Sequence, residues 1–172
     1  MKSSRALLHL PVIASLLLTL IPAGLAGEVN GWPAYKGAWF EIKYPPHFKV
    51  QPSLKSATSV KGYDSAFFPS PDREVEFYVF SPQWNGKPTD IEMNPDRETL
   101  VSEDFENRGE KRIRMVTVQD KAGTYKRSWI DTQDNAANTR LVFGFKYKDQ
   151  LSYNKYRKEY LLFKSSLKQF AD

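Results

Sequence analysis

The 172-residue chain contains no cysteine. Disulfides, thiolate metal sites, iron–sulfur clusters, cysteine nucleophiles and cysteine-linked lipid anchors are therefore excluded. Histidine is almost as scarce, with two in the chain. His9 falls in a segment expected to be removed, so His47 alone supplies the commonest general base and metal ligand. It sits in a turn after two prolines and reads as a solvated or hydrogen-bonded turn residue. The sequence has no phosphate loop, dinucleotide fingerprint, Gly-x-Ser-x-Gly elbow or His–carboxylate metal cluster. Asn-x-Ser/Thr acceptors are missing too, so nothing points to glycosylation. There is no internal repeat, low-complexity tract or linker long enough to separate two domains. No apolar run reaches the ~20 residues of a membrane-spanning helix.

What is present is an ordinary globular mixture, 41% hydrophobic and 26% charged, which excludes disorder, collagen and coiled coil. The chain opens with basic Lys2 and Arg5. Val12 to Ile21 follows, apolar except for Ser15 and Thr19. Pro22 then precedes small residues at Gly24 and Ala26. This order predicts a secretory signal peptide over residues 1–26, cut after Ala26. Removing 26 of the 172 residues leaves 146 and takes away two cations and no acid, lowering the net charge from +5 to +3. Such mild basicity in an exported protein argues against a nucleic-acid partner. All 24 aromatics (4 Trp, 9 Tyr, 11 Phe) remain. An exported chain without disulfides must rely on its core, and one of this size buries roughly two-thirds of its unfolded surface. The expected location is the periplasm or exterior of a bacterium, with no membrane span after cleavage.

Residues 27–172 read as one domain. Trp39 to Tyr44 alternates apolar and polar residues and predicts a strand, ended by Pro45-Pro46. Phe48 and Val50 predict a short strand after that turn. Val75 to Phe80 is a six-residue strand of β-branched and aromatic residues, with Phe67-Phe68 in its pairing partner. Lys111 to Gln119 and Thr124 to Thr132 flank Asp120-Lys121-Ala122-Gly123, a hairpin connection. Thr139 to Tyr147 completes an antiparallel meander. Tyr153, Tyr156, Tyr160, Phe163, Leu167 and Phe170 then form one face of a helix, with Ser152 as its expected N-cap. The fold class is α+β: an antiparallel sheet flanked by helices, with a long amphipathic C-terminal helix packed on the sheet.

The stretch Phe40-Glu-Ile-Lys-Tyr-Pro-Pro-His-Phe48 resembles the opening strand of the PsbP/Mog1-like family, where a strand runs into Tyr-Pro and then an aromatic. Val75 to Phe80, the meander and the ending Tyr156…Tyr160-Leu-Leu-Phe163-Lys-Ser-Ser-Leu167 follow in the same order. The resemblance spans most of residues 38–170. It implies an antiparallel sheet between helices, and binding or assembly more than catalysis. Members include photosystem II extrinsic subunits, a Ran-binding nuclear import factor and bacterial exported proteins. No functional residue of the family maps onto this chain.

Residues 90–106 hold seven acids: Asp90, Glu92, Asp96, Glu98, Glu103, Asp104 and Glu106. Asp90, Glu92, Asn94, Asp96 and Glu98 have the spacing of a calcium loop. Pro95, however, stands where the sharp turn needs Gly, and Val101 where the bidentate Glu belongs. The default is a solvated acidic loop or edge strand. The candidate binding residues lie in the meander: Arg112, Arg114, Tyr125, Arg127 and Trp129, with Arg140 on the next strand. Side chains alternate along a strand, so a suitable register would gather them on the face away from the helix. Arg, Tyr and Trp are the types enriched at interface hot spots. The competing reading makes Trp129 part of a second core layer rimmed by arginines. No catalytic residue, metal ligand or cofactor is assigned.

The expected function is an exported, non-catalytic accessory or assembly protein that binds a protein partner in the envelope. The alternatives are a binding protein for a small molecule or polysaccharide and, less favoured, a hydrolase using carboxylates of residues 90–106.

Overall fold

The computed structural model describes residues 29–170; the expected leader lies outside the described residues. The strands are β1 (Ala34–Lys36), β2 (Phe40–Lys43), β3 (Gln51–Pro52), β4 (Ser65–Pro69), β5 (Val75–Phe80), β6 (Glu98–Arg108), β7 (Lys111–Asp120), β8 (Lys126–Asp134), β9 (Thr139–Tyr147) and β10 (Lys168–Gln169), with helix α1 (Gln150–Ser165) before the last. They form a three-stranded sheet, β1-β2-β10, and a seven-stranded sheet, β3-β4-β5-β9-β8-β7-β6. Every strand pairing is antiparallel.

The α+β class holds, but the flanking helices do not. Among the described residues α1 is the one α-helix; the small sheet shares its core, and the opposite face of the large sheet is covered by irregular chain, not by a second helix. α1 packs on β5, β9 and β2. Phe77 and Phe145 meet Tyr160 from below, while Phe40 and Ile42 come from the small sheet. The six-residue spacing read along the C-terminus is resolved in two ways. Tyr156, Tyr160 and Phe163 are buried, and Tyr153 and Leu167 are half-buried against the same core. The helix nevertheless stops at Ser165, and Phe170 is 41% exposed. The unpaired edge of β2 competes for the chain there. Ser166 Oγ accepts from the Lys43 amide at 2.9 Å, and β10 then pairs with Glu41 and Phe40.

Two local expectations need correction. The N-cap is Asp149, not Ser152: its carboxylate accepts from the Ser152 amide at 2.8 Å and from the Ser152 hydroxyl at 2.9 Å. That is the ordinary reach from N-cap to the third helical residue. Phe48 and Val50 form no strand. The Phe48 amide bonds back to Pro45 O in a turn, the Lys49 amide donates to Pro69 O at 3.1 Å, and the strand itself spans only Gln51–Pro52.

A second core lies on the other face of the large sheet, built from Tyr78, Phe80, Ile91, Val116, Val118, Trp129 and Val142. β5 carries apolar side chains to both faces from Phe77 onward, as a strand buried on both sides must. The irregular segment 81–97 crosses this face and inserts Ile91. Gly144 makes room for it: a Cβ there would stand 2.6 Å from Ile91 Cδ1 and 3.1 Å from Tyr78 Cβ. The acidic run divides between this crossing segment and β6, the outer strand of the sheet.

Candidate functional site

Strand register gathers the predicted residues on one face. Across β7 and β8, Arg112 is opposite Gln133, Arg114 opposite Asp131, Val116 opposite Trp129 and Val118 opposite Arg127. Trp129 is in turn opposite Gly144, whereas its neighbour Ile130 is opposite Phe143, which belongs to the helix-side core. Arg112, Arg114, Arg127 and Trp129 therefore all lie away from α1, with Arg140 opposite Gln133.

Burial divides this set. Trp129 is 4% exposed and belongs to the second core, as the competing reading had it. The Arg127 guanidinium stands 4.9 Å over its ring. Nε and Nη2 of Arg127 donate to the two Glu98 oxygens, each at 2.6 Å. Nη1 donates to Ile91 O at 2.6 Å and Nη2 to Glu92 O at 2.9 Å. The Tyr125 hydroxyl donates to Glu98 Oε1 at 2.9 Å. Tyr125 and Arg127 thus tie the crossing segment over Trp129. This bidentate pairing uses the guanidinium's fixed fork, which a lysine lacks.

Burial alone pushes the Glu98 carboxyl up, but hydrogen bonds from Arg127, the Asn94 amide and Tyr125 hold it well below its ordinary 4.5, at about 2. A depressed folded-state pKa contributes stability that is present above pH 4.5 and lost as pH falls toward 2. Glu98→Gln removes this titration. The melting-temperature gap between wild type and Glu98→Gln is therefore expected to be widest at neutral pH and to close on acidification, as thermal melts across that range would show.

Arg112 and Arg114 remain at the surface. They border an open groove of about 270 Å³ together with Glu103, Phe105, Asp131 and Arg140. Arg114 Nε donates to Glu103 Oε1 at 2.6 Å. Arg140 makes a two-pronged pair with Asp131 and donates to Gly86 O at 2.8 Å. Arg112 stands 5.0 Å over the ring of Phe105, which is 53% exposed. Among the described residues no carboxylate forms an ion pair with Arg112. The groove thus presents an uncompensated guanidinium stacked on an exposed aromatic ring. Phe105 was missed from sequence. Its signal was the alternation Glu103, Phe105, Asn107 along one strand face, obscured by the excess of acid.

The remaining candidates are dispersed. Asp90 accepts from the Ser65 hydroxyl and the Tyr78 hydroxyl, each at 2.6 Å, so it ties the crossing segment to β4 and β5. Asp96 is exposed. His47 lies near Glu159, with Nε2 3.9 Å from Oε1, and edge-on to Phe48. Among the described residues no three His, Cys, Asp or Glu side chains are grouped to hold a metal ion. None of the described helices is long and apolar enough to cross a membrane.

No family model matches the sequence, and no curated relative does. Solved structures resemble the fold. Cyanobacterial PsbP (CyanoP) from Synechocystis is 10% identical, with a TM-score of 0.47, over 80% of this chain and 92% of that one. The Ran-binding protein Mog1p of Saccharomyces cerevisiae is 11% identical, with a TM-score of 0.39, over 81% and 97%. A protein of Bacteroides thetaiotaomicron is 17% identical, with a TM-score of 0.41, over 80% of this chain and 47% of that one. PsbP and Mog1, the two names in the family resemblance, are both among these neighbours.

Proposed function

We propose that the chain is an exported, non-catalytic accessory or assembly protein that binds a protein of the bacterial envelope through the groove at Arg112, Arg114 and Phe105. One observation carries the reading: Arg112, without a carboxylate partner, lies over the half-exposed ring of Phe105 at the mouth of an open groove. Arginine and aromatic side chains are the usual anchors of protein contacts. A carboxylate of the partner would complete the guanidinium's hydrogen bonding in a bidentate pair. Tyr125, Arg127 and Trp129 form the supporting wall, holding the crossing segment against the same sheet. The basic start, apolar middle and small-residue end of residues 1–26 support export.

The test is crosslinking of the tagged protein in its native host, followed by mass spectrometry. A recurrent envelope protein is expected with wild type. Its yield should fall about tenfold or more in Arg112→Ala/Phe105→Ala, the loss typical of a hot-spot pair. The melting temperature should stay within about 2 °C, because both side chains are exposed. An unchanged yield in the variant would remove the groove as the contact surface.

A further inference from the structure

A larger cleft, of about 510 Å³, opens at the other end of the same sheet face. It lies between the start of β5, the end of β9 and the β7–β8 turn. Four cations border it: Lys49, Arg73, Lys146 and Lys148. Among the described residues none of the four forms an ion pair. Two acids also line the cleft, and neither offsets them fully. Glu74 is drawn toward Lys155 of α1, with Oε2 3.3 Å from Nζ. Glu76 is half-buried and lies opposite Lys146 on the neighbouring strand, so it offsets that one cation and leaves Lys49, Arg73 and Lys148. Lys146 Nζ rests 4.6 Å over the Tyr125 ring, which fixes one positive head beside the opening.

Arg73 supplies a separate observation. Its φ is 58°, the left-handed region that glycine enters without penalty and arginine does not. The turn holds it there. Arg73 N donates to Ser70 O at 3.0 Å, and Asp72 Oδ1 accepts from the Glu74 amide at 3.1 Å. A guanidinium therefore stands at the cleft where backbone strain alone would select glycine. Strain of this kind is characteristic of ligand sites.

We propose that this cleft binds a small polyanion, a molecule carrying two or more carboxylate or phosphate groups. Its volume lies within the range of small-molecule sites. A monovalent ion would engage one of these cations and leave the others at the cleft without an oxyanion. Two or more linked oxyanions match the arrangement, with Arg73 giving a bidentate fork and the lysines adjustable point charges. The site is separate from the Arg112 groove, so one can fail without the other.

Isothermal titration of the full chain with tripolyphosphate and, separately, with citrate tests the proposal. Saturable binding of tripolyphosphate alone identifies a phosphate ligand; binding of citrate alone identifies a carboxylate. Lys146→Gln/Lys148→Gln is expected to weaken binding by about tenfold or more, as loss of charged hydrogen bonds does. Arg73→Gly is expected to weaken it as well while leaving the melting temperature unchanged or higher, because glycine relieves the backbone strain. Arg112→Ala should bind as wild type does. The proposal is overturned if neither anion binds, or if the lysine variant and Arg73→Gly both retain wild-type affinity.

Discussion

Replacing Arg127 with alanine is expected to lower the midpoint of thermal unfolding by about 6–20 °C, the shift that roughly 3–5 kcal/mol produces in a chain of this size. The size of the effect follows from what stays behind. The Glu98 side chain is 3% exposed and that of Arg127 15%. Without the guanidinium, a buried carboxylate keeps only the Asn94 amide and the Tyr125 hydroxyl as partners. Two carbonyls of the crossing segment, on Ile91 and Glu92, also lose their donor. Arg127→Lys should recover part of the loss, since it restores the charge but not the fork. Circular dichroism melts of the two variants provide the check. A shift under about 2 °C for Arg127→Ala would show that the crossing segment is held by Ile91 packing and not by the ion pair.

Phe163→Ala is expected to cost about 3–5 kcal/mol, the range for emptying a buried aromatic site. Phe163 is fully buried, and its ring lies 5.0 Å from Phe68, 5.4 Å from Phe77 and 6.1 Å from Phe143. It joins α1 to β4, β5 and β9 at once, so the rigid strands cannot close the void by moving together. Phe163→Leu should lose less, in proportion to the smaller cavity. Urea titration distinguishes a weakened native state from a changed one: the midpoint should fall in both variants with the slope preserved. A loss below about 1 kcal/mol for Phe163→Ala would mean that α1 contributes little to holding the sheet.

Much of this architecture was legible in the sequence because it rests on local periodicity. Val75–Phe80 and Thr139–Tyr147 have the bounds that alternation and turn residues imply. The tyrosines of α1 could be placed on the core because helical spacing exposes one face. The common face of Arg112, Arg114, Arg127 and Trp129 also follows from alternation, once the hairpin at Asp120 to Gly123 sets the register. What stayed hidden depends on chain segments without a period. Whether Trp129 is surface or core is decided by residues 81–97, an irregular stretch whose route across the sheet no pattern announces. The Arg127–Glu98 pair joins positions 29 residues apart. The helix ends early because β2, more than 120 residues upstream, needs a neighbour. Short β1 and β10 carry too few residues for any alternation to register.

The outer position of β6 gives the acidic run a meaning beyond solvation. Its 11 residues pair with β7 on one side only, and they include Leu100, Val101 and Phe105, all more than half exposed. A long, partly apolar strand with an open row of amides and carbonyls is a template for polymerisation. Glu103, Asp104 and Glu106 counter that tendency. In antiparallel stacking of two copies about the middle of β6, Glu103 meets its own copy, and Glu106 meets the apolar Leu100. The register break between Leu100 and Ser102 adds a local twist that spoils a flat match. The acids of this strand thus act as gatekeepers, keeping a free sheet edge from seeding fibrils of its own kind.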